Sequence, residues 1–448
     1  MTARPVWLTI AALAGPALVQ QGLLLSIQLY DQFLTGPFSP AHKAALTTAN
    51  YLYWFVTSYA VVVTAGATAV VGRVVGAGDL PTARRVVGQA VLLGLGFGLV
   101  GGAAAELGLP GLFRLLGLPT EEAGYAVRYL RPLAALLPFY LVEVAGLACL
   151  VGAGDTGTAP KVLCTAAAIN VPLAYGLSRG YGPLPELGFV GIAWGTGLSH
   201  VAGCLFVLAT LAGGRFGLTL HRAALRPDGP LIRRLLRVSL PAAADSLSVG
   251  VFQLVFLGVV ARLGTVNLAA HGNAIRIEAL GYLSGAAFGT AAVAFVGRAL
   301  GAGRPDLAAR GAWTALALGG ALMSAMGVIF FTFAEPLFWL FCRNAADAPV
   351  VAAGVPALRV IAFAMPGLAA TIILTSCLRG AGVTRRLAVI TWVGFLGVRL
   401  PLGLLLTRPG ALDLGLVGAW VAMVTDIYVR GGLLLVRFAS GRWRTVRV

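Results

Sequence analysis

The chain carries few acidic groups, and several of them fall where water is scarce. Asp31 closes a long apolar run that begins near residue 6, and Gln20 and Gln28 lie upstream at steps of eleven and three residues. On a helix these steps return the three side chains to nearly one face, so they form a polar stripe that does not belong against lipid. A carboxylate in that place can bind a proton or a cation. The alternative is that Asp31 only begins the following loop. Glu143, Asp245, Arg276, Glu278 and Arg399 also stand inside apolar runs, each without an opposite charge at helical spacing. An ionisable residue at mid-bilayer costs about 3 kcal/mol unless it is paired or faces a cavity. Glu143 and Glu278 are candidate proton carriers, because an unpaired carboxyl out of water favours its neutral form. Asp426 and Arg430 are four apart and can pair along one helix.

Other chemistries lack their residues. No Gly-Lys-Ser/Thr phosphate loop is present, and no GxGxxG follows a strand pattern. His42, His200, His221 and His271 have no acidic metal motif near them in sequence, and the five cysteines form no CxxC pair. The reading is of a protein that is not an enzyme, with no cofactor beyond a coupling ion, H⁺ or Na⁺.

The elements that must position these residues follow from composition. Of 448 residues, 58% are hydrophobic and 11% charged, against roughly a quarter charged in soluble domains. Apolar runs predict an all-α integral membrane protein of about twelve spans, near 6–30, 45–71, 86–106, 126–150, 160–179, 188–213, 235–262, 270–297, 311–333, 356–378, 387–407 and 414–438. With a cytoplasmic N-terminus, 21 of the 33 Lys and Arg fall in inner segments. The positive-inside rule therefore places both termini in the cytoplasm of a cell (inner) membrane protein. The net charge of +17 is then topology and not a nucleic-acid footprint. The polar stretch 215–234, with Pro227 and Pro230, divides an N-terminal six-helix lobe (1–214) from a C-terminal one (235–448) and reads as their hinge.

The two halves repeat. Val71-Gly72-Arg73 through Gly76-Ala77-Gly78 recurs as Val296-Gly297-Arg298 through Gly301-Ala302-Gly303, and Cys149 through Thr156 recurs as Cys377 through Thr384. Pro16 matches Pro241, and Arg131 and Pro138 match Arg359 and Pro366. An even number of spans per copy gives parallel repeats. Pro16, Pro138, Pro172, Pro241, Pro366 and Pro401 predict kinks.

These features resemble the MATE family of multidrug and toxic compound extrusion antiporters. The carriers are Pro16 with the Asp31–Gly36 ending, Val71-Gly72-Arg73 with Gly76–Asp79, Gly152–Thr156 through Pro160, Gly191-Ile192-Ala193-Trp194-Gly195-Thr196, Arg276-Ile277-Glu278, and Val296-Gly297-Arg298 to Gly303. The last two look most like the DNA-damage-inducible (DinF-like) branch. The resemblance implies two six-helix lobes forming a V around a central cleft, and export of small organic, often cationic, substrates against H⁺ or Na⁺ by alternating access. Asp31 matches the family's coupling aspartate on its first helix, and Asn170 the asparagine near it. Gln20, Gln28, Glu143, Asp245, Arg276 and Glu278 are the expected cleft residues or proton carriers. The chain departs from the family at Ala174, often an aspartate, and at Val249, where some members hold a glutamate. That departure thins any sodium shell. The expected partners are a small-molecule substrate and the bilayer, with the chain a monomer and no nucleic acid bound. A flippase for lipid-linked sugars is the alternative, and it would need deep basic residues such as Arg276 and Arg399.

Overall fold

The computed structural model describes residues 4–35, 37–115, 120–342, 347–408, 410 and 412–446. Among them ten helices are long and apolar enough to cross a membrane, and two bent helix pairs bring the number to twelve. A helix is the natural solution for each run, since it satisfies every backbone N–H and C=O without water. Large apolar side chains such as Val100, Val328, Phe333 and Val436 stay exposed, as a lipid-facing surface requires.

The chain forms two compact units, one of residues 19–243 and the other of residues 1–18 with 244–448. Helices α1 (Val6–Leu34) and α8 (Gly229–Ala261) each contribute to both. The change of unit falls within three residues of Pro16 in α1 and of Pro241 in α8, the matched prolines of the repeat. Both helices continue through their proline.

The first unit also holds α2 (Pro40–Gly76), α3 (Leu80–Leu115), α4 (Thr120–Ala135), α5 (Leu137–Ala153), α6 (Thr158–Arg179) and α7 (Phe189–Ala212). Glycine sets how closely these helices pack. A Cβ on Gly98 of α3 would lie 2.4 Å from Pro138 Cα, and one on Gly152 of α5 would lie 2.7 Å from the Thr68 carbonyl oxygen.

The second unit contains α9 (Thr265–Gly301), α10 (Pro305–Thr332), the short α11 (Ala334–Trp339), α12 (Ala348–Ala362), α13 (Met365–Gly380), α14 (Arg385–Gly394), α15 (Leu400–Thr407) and α16 (Gly415–Ala439). Its core includes Phe330, Phe338, Leu358, Ile373 and Trp420, and the first turns of α1 join it through Ile10, Leu13 and Ala14.

Two spans expected to be single helices are broken. Helices α4 and α5 meet at 53°, and α12 and α13 at 58°. Pro138 and Pro366 sit in the first turn of the second helix of each pair, where a proline lacks no needed donor but cannot accept continuation from the preceding turn. Pro401 opens α15 directly after a π-helical turn at Phe395–Arg399. Pro172 lies inside an unbroken α6. The repeated Gly-Ala-Gly segments end α2 and α9, with Gly78 and Gly303 at φ of +80° and +68°, which only glycine adopts without strain.

The polar stretch after α7 is tied to α3. Gln89 of α3 donates through Nε2 to the carbonyls of Ala224 and Arg226 and accepts from the Asp228 N–H, each at 2.9 Å. Gly88 beside it admits Ala224 at a distance no side chain would allow. This stretch packs with the first unit, and residues 229–234 are already helical.

Candidate functional site

The first unit gathers a polar cluster from three helices. Thr196 of α7 donates its hydroxyl to Asp31 Oδ2 of α1 at 3.1 Å and accepts from Asn170 Nδ2 of α6 at 3.1 Å. Its proton also has the Ile192 carbonyl within reach at 3.2 Å. The Tyr30 hydroxyl donates to the Val171 carbonyl at 2.9 Å, which ties α1 to α6 at the residues next to Asp31 and Asn170.

The approach of α6 to α7 depends on Gly191 and Gly195, four apart on one face. A Cβ on Gly191 would lie 2.3 Å from the Leu177 carbonyl oxygen, and one on Gly195 2.6 Å from Ala174 Cα. Small residues at this spacing let helix backbones approach within a membrane. Thr196 follows Gly195 and is thereby carried to Asn170. Ala174, where an aspartate was the family expectation, is fully buried in that contact.

Two oxygens of the cluster are left over. Asp31 Oδ1 and Asn170 Oδ1 are both buried and without a hydrogen-bond partner. Buried acceptors are ordinarily satisfied, and these two are the acceptors of the cluster that no described group fills. Gln20 is half-buried and joins none of these bonds. The side chain of Gln28 lies outside the described residues.

One turn along α7 from Thr196, His200 Nδ1 meets Glu143 Oε2 of α5 at 2.8 Å. Glu143 therefore has a partner, 57 residues away, that helical spacing did not reveal. Its carboxylate is buried and lies against Gly203, where a Cβ would approach Oε1 to 2.6 Å. Tyr140 packs edge-on against the His200 ring.

Charges in the second unit are mostly committed to one another. Asp245 of α8 pairs with Arg379 of α13 at 2.8 Å. Asp426 of α16, wholly buried, accepts from Arg399 at 2.7 Å and through both oxygens from Arg430 at 2.8 Å. The Arg399 guanidinium also lies 4.2 Å from the Phe395 ring centroid and donates to Gln253 Oε1 at 3.0 Å. Glu278 of α9 is within electrostatic reach of Arg399 but makes no ion pair among the described residues. Arg276, expected to be buried by depth, is exposed.

At the end of α5 the turn residue Asp155 accepts from the Gly157 and Thr158 N–H groups and the Thr158 hydroxyl, and from Arg215 beyond α7. Burial pushes this carboxyl up, but the bonds from Arg215 and Thr158 outweigh it and hold it below the usual carboxylate value. The matched turn of the second repeat has Val383 there and no such lock. No cluster of three or more His, Cys, Asp or Glu suited to a metal occurs among the described residues.

Residues 16–176 and 241–405 match the family model described as MatE. The chain is 26% identical to the probable multidrug resistance protein NorM of Thermotoga maritima, over 96% of this chain and 92% of that protein. It is 27% identical to the multidrug resistance protein MdtK of Pectobacterium atrosepticum, over 96% and 94% of the two chains. Among solved structures, an outward-facing multidrug resistance MATE family transporter of the MOP superfamily superposes with a TM-score of 0.90 at 21% identity, covering 98% of this chain and 97% of that one.

Proposed function

The chain belongs to the MatE family, and from that premise we propose that it is a multi-pass efflux antiporter that exports small organic compounds, cationic or amphipathic, in exchange for protons by alternating access. The observation that carries the reading is the pair of unpartnered buried oxygens, Asp31 Oδ1 and Asn170 Oδ1, in a cluster already held together by Thr196. A proton on Asp31 satisfies the free carboxylate oxygen and cancels the charge. Loss of that proton leaves a half-buried anion whose remaining support is a single Thr196 hydroxyl. The two states therefore favour different packings of α1 against α6 and α7, and such a difference in stability is what couples ion and substrate.

Sodium finds a poorer site. It would draw on Asp31, Asn170 and Thr196, with Ala174 giving no further oxygen, whereas a proton needs only the carboxyl. Arg276 and Glu278 on α9 are the polar groups of the second unit we assign to meeting substrate, since Asp245 is engaged by Arg379. The flippase alternative loses support because Arg399 is occupied by Asp426 and is not free to hold a pyrophosphate. On this reading both termini are cytoplasmic in the cell membrane. Proteoliposomes holding ethidium, with a pH gradient and a sodium gradient imposed separately, test the proposal. Transport under the pH gradient alone is expected; transport under sodium alone would overturn the choice of ion.

A further inference from the structure

The buried Glu143–His200 pair has no part in holding Asp31, yet it stands on the next turn of the helix that does. Thr196 and His200 are four apart on α7, so their side chains share a face and are separated by about 6 Å along the axis. One binds Asp31 and the other binds Glu143. The His200 ring lies within electrostatic reach of Asp31. Asp31 lies near the last turn of α1 and Thr196 in the second turn of α7, so His200 is the deeper of the two. It falls near the middle of α7, away from the Asp155–Arg215 end. A buried carboxylate hydrogen-bonded to an imidazole is weak as a stabiliser beside apolar packing of the same volume, and Gly203 is kept bare to admit it.

We propose that Glu143 and His200 form a proton relay, through which the proton held by Asp31 passes to and from the interior of the first unit. The inference rests on the proton-coupled reading of Asp31. In the inward step the Asp31 O–H breaks and a water spanning the turn takes up that proton while giving one to the imidazole at Nε2. The Nδ1 proton then passes to Glu143 Oε2. One proton has moved from Asp31 to Glu143, the water is unchanged, and the imidazole is neutral before and after with its tautomer exchanged. Glu143 releases the proton to water in the opposite conformational state. Asp31 is thus the coupling group and the pair sets how fast it is loaded and unloaded.

Among the described residues, the ionisable groups beside the pair are Asp31 from α1, the Tyr140 phenol from α5 and the Cys204 thiol from α7. From α2 and α3, which also pack against α5, comes Tyr59, whose hydroxyl is given to the Phe97 carbonyl. From α4, Tyr129 meets α7 at Phe189, at the far end from Glu143. No Lys or Arg is among these groups.

The test uses the full-length protein in proteoliposomes, with ethidium as probe and His200→Gln and Glu143→Gln as variants. Both keep a hydrogen-bonding side chain and cannot relay. Two rates are measured for each: ethidium exchange at equal pH on both sides, and uptake driven by a pH gradient across a range of pH. The expected result is exchange within twofold of wild type, driven uptake at least tenfold slower with a flattened pH profile, and a double variant no worse than either single one. Driven uptake with wild-type rate and pH profile in both variants overturns the relay while leaving Asp31 coupling intact. Absence of proton-driven uptake in the wild type overturns the coupling reading and the relay with it. Should the variants not fold, the ¹⁵N imidazole resonances of the wild type and of Asp31→Asn decide. A His200 titration that shifts between the two supports the relay, and one that does not move refutes it.

Discussion

Replacing Gly195 by alanine should uncouple the transporter without altering a polar side chain. The new Cβ would lie 2.6 Å from Ala174 Cα and N and 2.7 Å from its Cβ, where carbon contacts settle at about 3.5–4.0 Å. These are backbone or Cβ atoms that no rotamer can move, so α6 and α7 must part by about 1 Å locally. Asn170 lies one turn from Ala174 and Thr196 is next to Gly195. The 3.1 Å bond between them would lengthen to about 4 Å, past the range of a hydrogen bond. Overpacking costs about 1–3 kcal/mol, and leaving the buried amide unpaired adds about 1–3 kcal/mol. The purified variant should melt at a clearly lower temperature by tryptophan fluorescence. In proteoliposomes its pH-driven uptake should fall about tenfold, the equivalent of about 1.4 kcal/mol, while ethidium exchange at equal pH persists. A Gly195→Ala protein with wild-type melting and wild-type driven uptake would refute the account of how Thr196 is placed.

Asp426→Ala leaves the buried Arg399 and the half-buried Arg430 side by side with no anion between them. It should destabilise the protein by about 3–5 kcal/mol, seen as loss of monodisperse protein on detergent extraction; joint replacement of Asp426 and Arg399 by Leu and Met should be milder. Asp155 is held below its usual value in the folded protein, so its contribution is fully present above the unfolded value of about 4 and is lost as pH falls through the lower folded value. The stability difference between wild type and Asp155→Asn should therefore be constant from pH 7 to about pH 5 and shrink below about pH 4, as read by denaturant unfolding at each pH.

Much of the architecture was legible in the chain because a bilayer permits few choices. Apolar runs of span length have to be helices, and the matched segments at Gly76–Gly78 and Gly301–Gly303 end α2 and α9 in the same way. What the runs could not show is where a span breaks. Pro138 and Pro366 read as kinks, but whether a proline bends a helix or starts a new one depends on the packing around it, as the unbroken α1, α6 and α8 demonstrate. The membership of the polar stretch 215–228 was also hidden, since it is fixed by Gln89, a side chain on another helix more than 130 residues away.

The candidate site was half visible. Asp31 stood out because a carboxylate ending an apolar run is expensive, and Asn170 entered by resemblance. Thr196 was quoted in the Gly191-to-Thr196 motif without a role, although a hydroxyl just after a Gly-x-x-x-Gly face is a signal that it will meet the neighbouring helix. His200 gave no local sign at all. Its partner is set by the approach of α5 to α7, and helical spacing, which correctly joined Asp426 to Arg430, is blind to pairs across helices such as Glu143–His200, Asp245–Arg379 and Arg399–Asp426.

The central claim is that substrate and proton are linked through Asp31, and proton release on binding measures it most directly. Purified protein in detergent at weak buffering should release about one proton when ethidium binds, recorded by calorimetry in buffers of different ionisation enthalpy, and Asp31→Asn should bind ethidium with none released. Equal proton release from wild type and Asp31→Asn would contradict the account.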